Sequence, residues 1–237
     1  VCGKHAFDCP VTGGEGGAIA GTLTAIVGAT ERDIEPVREL LETFTSKIFC
    51  FGGAGKGQAA KLSNQVALAS SMVGMADALS FAQQNDLDVE QVREMICSGT
   101  GSTGAMATLA PKALAGDFKP GFLVEHFLKD LGLALSVAEE KELALPGADT
   151  AFTLYDMLEA IGGARMGTQA ITLLYQEEAD AVAAGLDWSL YTAAHAHDDE
   201  HECQCGHNHD EDHECCGGHG HGHGEGHECR CGGHHEE

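Results

Sequence analysis

The sequence predicts a short α/β segment, then an all-helical domain, then a tail that does not fold. We place these regions at residues 1–52, 53–194 and 195–237. Apolar, β-branched runs separated by glycine turns predict strands in the first region, whereas apolar residues at helical spacing predict helices in the second. Residues 198–237 hold twelve acids, one base and no Leu, Ile, Val, Met, Phe, Tyr or Trp, so they cannot bury a core and should be disordered.

The first region is expected to contain three strands and one helix. The strands are predicted over residues 6–11, 22–27 and 47–51. The helix is predicted over residues 33–44, with Thr30 as a suitable N-cap. The glycines of residues 13–17 predict a loop that brings the backbone close to a ligand. Because so small a sheet has unpaired edges and is marginal alone, we expect its domain to begin before Val1.

The second region is expected to contain one long helix and several shorter ones. Residues 58–84 contain no proline and one glycine, and they are apolar on nearly every face, which is typical of a helix surrounded by other helices. The shorter helices are predicted over residues 89–98, 104–114, 124–143, 149–161 and 167–184. Proline and glycine residues fall between or at the ends of these segments.

The charge of the chain excludes some classes of partner. With 37 acidic and 13 basic side chains, the formal net charge is −24, and such a field repels both nucleic acid and anionic membranes. There is no uninterrupted apolar run of about 18 residues, so we expect no membrane-spanning segment. The cysteines before the tail lack disulfide or metal-site spacing, which predicts free thiols in a reducing compartment.

A first candidate site follows the first predicted strand. The hydroxyl group of Thr12 and the backbone N–H groups of Gly13 and Gly14 could together hold a carboxylate. A flexible glycine turn without a ligand is the alternative interpretation.

A second candidate site lies at the start of the long helix, after the glycine turn of residues 53–57. Lys61 and Asn64 are spaced i, i+3 on one face, and Gln65 lies beside them. A lysine among Ala and Leu side chains loses hydration, which lowers its pKa and makes it a plausible proton donor to a carbonyl oxygen. A solvated surface lysine is the alternative.

A third candidate site is the charged pair Lys129-Asp130, which interrupts an otherwise apolar helix. A helix buried on both sides seldom keeps a charge without a partner or a ligand. An exposed stripe containing Glu125, Lys129 and Gly132 would explain the pair equally well. We interpret His126 as a structural residue.

These stretches together resemble the β-hydroxyacid dehydrogenase family, which includes 3-hydroxyisobutyrate dehydrogenase and tartronate semialdehyde (2-hydroxy-3-oxopropionate) reductase. The similarity runs from about Phe7 to Ser189. It rests on five motifs in a specific order and spacing: FDCPVTGGEGGAIAGTLTAIVGA at 7–29, GAGKGQAAKLSNQ at 53–65, FKPGF at 118–122, LKDLGLAL at 128–135 and LP at 145–146.

The resemblance implies that residues 1–52 are the end of a Rossmann NAD(P)-binding domain and that residues 53–194 form a helical domain like that of 6-phosphogluconate dehydrogenase. It implies hydride transfer between NAD or NADP and a small 3-hydroxy acid or its semialdehyde. The family's glycine-rich phosphate turn does not occur in this sequence, so the chain by itself is expected to be inactive and to bind NAD(P) weakly.

The resemblance also implies roles for individual residues. The segment Thr12–Gly14 would hold the substrate carboxylate, and Lys61 would protonate the carbonyl oxygen during reduction. Asn64 or Gln65 would orient the substrate, and Lys129 would lie near the cofactor. Thr12 replaces the family's usual serine, and Gln65 stands where many members have a second asparagine, but neither change removes a needed donor.

The tail resembles no part of that family. It repeats the unit His-Glu-Cys three times, as HECQCGH at 201–207, HECCGGH at 213–219 and HECRCGGHH at 227–235, with HGHGHG starting at His219. Thiolate and imidazole are preferred ligands of Zn²⁺, Ni²⁺ and Cu ions. The candidate ligands are His201, Cys203, Cys205, His207, His213, Cys215, Cys216, His219, His221, His223, His227, Cys229, Cys231, His234 and His235. A solvated extension with incidental metal affinity is the alternative.

Three hypotheses therefore stand. The leading hypothesis is that the chain is part of an NAD(P)-dependent β-hydroxyacid dehydrogenase. This enzyme would take a small carboxylate substrate and form a homo-oligomer through its helical domain. The second is a non-enzymatic metal buffer that displays the tail on a dehydrogenase-derived scaffold, and the third is a catalytically inactive interaction module. For the compartment, we favour the cytoplasm over the mitochondrion.

Overall fold

The computed structural model of this protein describes residues 5–195, with side chains for residues 5–191. Its sheet has three strands in the order β1-β2-β3, antiparallel between β1 and β2 and parallel between β2 and β3. The strands are β1 (Val11–Thr12), β2 (Leu23–Val27) and β3 (Thr45–Cys50). The backbone N–H of Gly28 also donates to the Asp8 carbonyl at 2.8 Å, so the pairing of β1 with β2 extends toward the N-terminus. The three predicted strands are present with shifted ends.

The predicted glycine loop between the first two strands is wrong, because the segment forms helix α1 (Gly14–Ala20). Gly13 has a φ of +129°, which favours glycine, and it turns the chain from β1 into the helix. A Cβ at Gly13 or Gly17 would lie 3.0 or 3.1 Å from the side chain of Leu23. The glycines therefore let the helix pack closely on β2.

The helix predicted over residues 33–44 is shorter and interrupted. It begins earlier, as α2 (Glu31–Ile34), because Thr30 and Asp33 form a capping box. A 3₁₀ turn at Glu35–Val37 contains Pro36, and α3 (Arg38–Glu42) follows. Proline has no backbone N–H to donate, which breaks the regular helix at this point.

The all-helical arrangement predicted for the second region is confirmed. Its long helix α4 covers Lys56–Gln84, and the other helices are α5 (Val89–Cys97), α6 (Gly104–Thr108), α7 (Ala110–Leu114), α8 (Val124–Glu139), α9 (Pro146–Ala160), α10 (Glu178–Ala183) and α11 (Trp188–His195). Two predictions are wrong: residues 104–114 form two short helices, and residues 167–184 form a 3₁₀ segment at Thr168–Tyr175 followed by α10. Helix α11 was not predicted.

Helix α4 is the centre of the helical domain and packs against α8, α9 and the 3₁₀ segment. Among the described residues it is the one helix that is long and apolar enough to cross a membrane by length and composition. A core helix has the same length and composition, and the packing of α4 against several helices accounts for its apolar character.

The two regions have separate apolar cores. The helical core includes Met72, Met75, Phe127, Leu131, Tyr155 and Leu158, all 1% exposed or less. The core beside the sheet has five buried residues: Ala25, Val27, Ala29, Ile34 and Leu41. Helix α4 begins against β2, so it lies at the junction of the two.

Candidate active site at the start of helix α4

The carboxylate of Asp8 caps the start of α4. It accepts hydrogen bonds from the backbone N–H groups of Gly55 and Gln58, each at 2.7 Å. Burial acts to raise the pKa of Asp8, but these N–H groups outweigh it and hold the pKa below the ordinary value of 3.8. Because Asp8 belongs to the segment that pairs with β2, this cap ties α4 to the sheet.

Gly57, the second residue of α4, closes the same junction. A Cβ at this position would lie 2.5 Å from the carbonyl oxygen of Ile26 and 2.7 Å from a carboxylate oxygen of Asp8. No side chain fits there, so the glycine allows the first turn of α4 to lie directly on β2.

A chain of polar contacts joins α4 to α8 one to two turns further along. Asn64 Nδ2 donates to Gln65 Oε1 at 3.0 Å, and Gln65 Nε2 donates to Asp130 Oδ2 at 2.8 Å. The other oxygen of Asp130 lies 2.9 Å from Lys129 Nζ. The second and third candidate sites thus form one polar cluster.

Lys61 is half-buried on the same face of α4 as Asn64, and the charges of Asp130 and Lys129 act on it through space. Loss of hydration is the main cause that lowers the pKa of its ammonium group below 10.5, and the positive charge of Lys129 lowers it further. The negative charge of Asp130 opposes both effects. A lysine in this environment is suited to exchanging a proton with a bound oxygen atom.

The first candidate site, separate from this cluster, is the turn from β1 into α1. The position of a Cβ on Gly14 is 3.7 Å from the carbonyl oxygen of Gly121, so this turn lies against the loop before α8. Between them is a cavity of about 260 Å³, lined by Glu15, Pro120, Gly121, Phe122, Leu123 and His126. The N–H groups in the first turn of a helix have no acceptor within that helix, which leaves those of α1 available to an anion.

Helix α8 lies beside both the polar cluster at α4 and the cavity at the turn from β1 into α1. His126, Lys129 and Asp130 are spaced i, i+3 and i+4, so they share one side of the helix. His126 lies at the cavity beside Gly14, and Asp130 contacts α4. His126 is also 3.8 Å from Glu125, which accepts a hydrogen bond from Arg165 at 2.7 Å.

The predicted residues are thus brought together in two groups. Lys61, Asn64, Gln65 and Lys129 lie in the cluster between α4 and α8, while Thr12–Gly14 lie at the adjoining turn. No hydrogen bond or ion pair between residues 5–191 links the two groups directly.

Sequence reasoning missed Asp8 and did not find the partner of Asp130. The signal for Asp130 was the charge inside an apolar helix, but nothing in the sequence indicates that a glutamine 65 residues earlier donates to it. Asp8 gives no signal in the sequence beyond being a carboxylate within a predicted strand.

The metal ligands predicted in the tail, from His201 to His235, lie outside the described residues. Within residues 5–195 no group of three or more His, Cys, Asp or Glu side chains is placed to hold a metal ion.

Two family models match the chain. One describes the NAD-binding domain of NADP-dependent 3-hydroxyisobutyrate dehydrogenase and matches residues 55–175. The other describes the NAD-binding domain of 6-phosphogluconate dehydrogenase and matches residues 2–52. The matched stretches include both groups of candidate site residues.

Known proteins with similar sequence or structure support the same relationship. An uncharacterised oxidoreductase of Bacillus subtilis is 41% identical over 72% of this chain and 59% of its own length. The 2-hydroxy-3-oxopropionate reductase of Escherichia coli is 34% identical over 71% of this chain and 58% of its own. The structure of Mycobacterium tuberculosis 3-hydroxyisobutyrate dehydrogenase with L-serine superimposes with a TM-score of 0.67 at 32% identity, covering 72% of this chain and 61% of that one. The chain therefore spans about three fifths of the length of these relatives.

Proposed function

Because the chain belongs to the β-hydroxyacid dehydrogenase family, we propose that it provides the substrate side of an NAD(P)-dependent dehydrogenase. The reaction interconverts a small 3-hydroxy acid and its semialdehyde by hydride transfer. The observation that carries the proposal is the half-buried Lys61, with a lowered pKa, beside the Asn64–Gln65–Asp130 chain of hydrogen bonds. Relatives named for 3-hydroxyisobutyrate and 2-hydroxy-3-oxopropionate support this substrate class.

The turn at Thr12–Gly14 binds the substrate carboxylate in this proposal. The Thr12 hydroxyl and the free N–H groups at the start of α1 donate to its oxygens, and hydrogen bonds to a charged acceptor are stronger than neutral ones. Gly13 and Gly14 have φ values of +129° and +64°, which suit glycine and expose the backbone to a ligand. Anchoring the carboxylate fixes the distance of the reacting carbon from Lys61.

Lys61 moves the proton. In the reduction its ammonium group donates to the substrate oxygen as negative charge develops there, and in the oxidation the neutral amine accepts the hydroxyl proton. A pKa below 10.5 raises the neutral fraction near neutral pH and so serves the oxidation. Asn64 is exposed at the same face of α4 and orients the substrate oxygen.

The cluster also fits a nicotinamide cofactor. The side chain of Lys129 is 65% exposed and held beside Asp130, so it offers a fixed cation at the open edge of the cluster. NAD or NADP, when bound, supplies or accepts the hydride. Lys129 would contact polar groups of the cofactor. The sheet region would form part of the domain that binds the rest of the cofactor.

The test is substitution of Lys61 in the protein at the length its source produces. Lys61→Ala should lower kcat by about 10²- to 10⁴-fold, because it removes the group that transfers the proton. The KM for the cofactor should change little. Steady-state assays with both NAD and NADP, using 3-hydroxyisobutyrate, L-serine and 2-hydroxy-3-oxopropionate, measure both constants and rank the substrates.

Lys56→Ala is the matched control. Lys56 is exposed in the first turn of the same helix, and its replacement should leave kcat within about twofold. Unchanged turnover in Lys61→Ala would refute the proposal.

We also propose a homo-oligomer formed through the helical domain, as this family's helices imply. An open, mostly apolar groove of about 280 Å³ between α4 and α8, lined in part by Leu62, Val66 and Val137, supports a partner surface there. Light scattering during size-exclusion chromatography gives the mass in solution. A monomer at all concentrations would refute this part of the proposal.

A second function is proposed for the tail, namely binding of Zn²⁺, Ni²⁺ or Cu ions. It is supported by the three His-Glu-Cys units in residues 201–235. Removal of residues 196–237 should abolish Zn²⁺ binding measured by calorimetry and leave dehydrogenase turnover unchanged. Equal Zn²⁺ binding with and without the tail would refute the proposal, and loss of turnover on removal would show that the tail is not accessory.

A further inference from the structure

Gln65 is an unusual residue for its place in the fold. It is 1% exposed on α4, where most neighbouring buried side chains are apolar. Burying an amide without partners is costly, so its hydrogen bonds must be satisfied inside the domain. Both polar ends of its side chain are hydrogen-bonded: the oxygen accepts from Asn64, and the NH₂ group donates to Asp130.

The chemistry of these groups fixes the direction of every hydrogen bond in the chain. An ionised carboxylate can only accept, so the NH₂ group of Gln65 must face Asp130. Its oxygen then faces Asn64, which must turn its own NH₂ group toward Gln65. Asn64 then has its side-chain oxygen and one side-chain N–H left for a partner outside this series of hydrogen bonds, such as a ligand.

Resting on the proposed function, we infer that Gln65 is a positioning residue that transmits the charge of Asp130 to the amide of Asn64 and holds that carboxylate beside Lys61. The contact crosses from α4 to α8, and the distance of 2.8 Å from Gln65 Nε2 to Asp130 Oδ2 requires the full length of the glutamine side chain. An asparagine at this position would be shorter by one carbon–carbon bond, about 1.5 Å, and would not reach.

Two charged groups act electrostatically on the pKa of Lys61, and both are on α8. Asp130 favours the protonated form of the lysine, and Lys129 disfavours it. Gln65 and Lys129 each hold one oxygen of Asp130. Releasing Asp130 from Gln65 therefore changes the proton equilibrium of Lys61 without touching Lys61 itself.

The first experiment measures that equilibrium without any assay of activity. In protein labelled with ¹³C at the lysine ε-carbons, the resonance missing from a Lys61→Arg variant identifies Lys61, and its shift is followed against pH. Asp130→Asn should lower the pKa of Lys61, because the attracting negative charge is gone. Gln65→Asn should lower it in the same direction by less, since the carboxylate remains but is no longer held.

Gln83→Asn is the matched control, because it shortens an exposed glutamine at the far end of the same helix. It should leave the titration of Lys61 unchanged. Circular dichroism checks that each variant is folded. If Gln65→Asn does not fold, Gln65→Met carries the test, because methionine is similar in length but cannot donate to Asp130. A Lys61 titration in folded Gln65→Asn equal to that of the parent protein would overturn the inference, whatever Asp130→Asn shows.

The second experiment adds turnover, in the protein at its natural length. Gln65→Asn should lower kcat by about tenfold with little change in the cofactor KM, because Asn64 and Lys61 are misplaced and not lost. In the direction of reduction, the fall in rate with rising pH should occur at lower pH than in the parent protein. A pH profile and kcat equal to those of the parent would overturn the inference.

The two experiments separate this inference from the proposed function. If the titration of Lys61 shifts as expected but the parent protein oxidises none of the hydroxy acids, the hydrogen-bond chain stands and the proposed function fails. If the parent protein is active and the titration does not shift, the proposed function stands and the inference fails.

Discussion

The sheet region and the helical domain are built in different ways. The helical domain surrounds α4 with a continuous core in which large side chains such as Phe127 and Tyr155 are fully buried. The sheet region has only a small buried cluster. Phe49 on its edge strand β3 and Phe51, just after that strand, are 52% and 48% exposed. Because of this difference, we expect the helical domain to keep its group of site residues in place by itself, whereas Thr12, Gly13 and Gly14 depend on the junction at Asp8 and Gly57.

The largest effect should come from the helical core. Phe127→Ala should destabilise the chain by about 3–5 kcal/mol, because the ring is completely buried and packs edge-on against Tyr155 at 5.0 Å. Phe49→Ala, in the sheet, should cost about 0.5 kcal/mol or less at its exposed position. Urea denaturation of both variants measures the difference, and equal losses would contradict the contrast between the two regions.

A smaller loss of stability should come from a substitution that separates the two regions at Gly57. Gly57→Ala should destabilise by about 1–3 kcal/mol, since its Cβ would be forced onto the Ile26 carbonyl and the Asp8 carboxylate. Gly74→Ala is the control on the same helix, because nothing lies within 4 Å of its Cβ position. It should stabilise by about 0.5–1 kcal/mol through improved helix propensity. If both variants gain stability on thermal unfolding, the junction is not closely packed.

The smallest effect should come from the charge at the junction. Asp8→Asn should cost about 1 kcal/mol at neutral pH, because each carboxylate oxygen accepts a backbone N–H and the amide nitrogen that replaces one of them cannot accept. The pKa of Asp8 is lower in the folded protein than the ordinary 3.8, so its contribution is complete above that pH and is lost as the pH falls through the lowered value. Stability curves of the two proteins should therefore converge in acid, and a constant difference at every pH would contradict this role.

The sequence was informative where local rules decide the outcome. The i, i+3 spacing of Lys61 and Asn64 predicted a shared helix face, and the apolar character of residues 58–84 predicted a central helix; both depend only on residues close in the chain. Thr30 was recognised as a cap for the same reason. These features are set by backbone geometry and side-chain type.

The sequence was uninformative where distant residues decide the outcome. The glycines of residues 13–17 indicate a loop, yet α1 begins at Gly14 and packs on Leu23. The partner of Asp130 is 65 residues away on α4, and the cap of α4 is 47 residues before it. Such contacts are created by the packing of α8 and β2 against α4, and no local pattern encodes them.

The position of Asp8 has an electrostatic consequence for the whole site. The start of a long helix carries the equivalent of about +0.5 elementary charge from its aligned peptide dipoles, and that positive end commonly attracts anions. In α4 the protein's own carboxylate already neutralises it. In the proposed dehydrogenase, whose chain has a net charge of −24, the local attraction for an anionic substrate would therefore rest on the ammonium groups of Lys61 and Lys129.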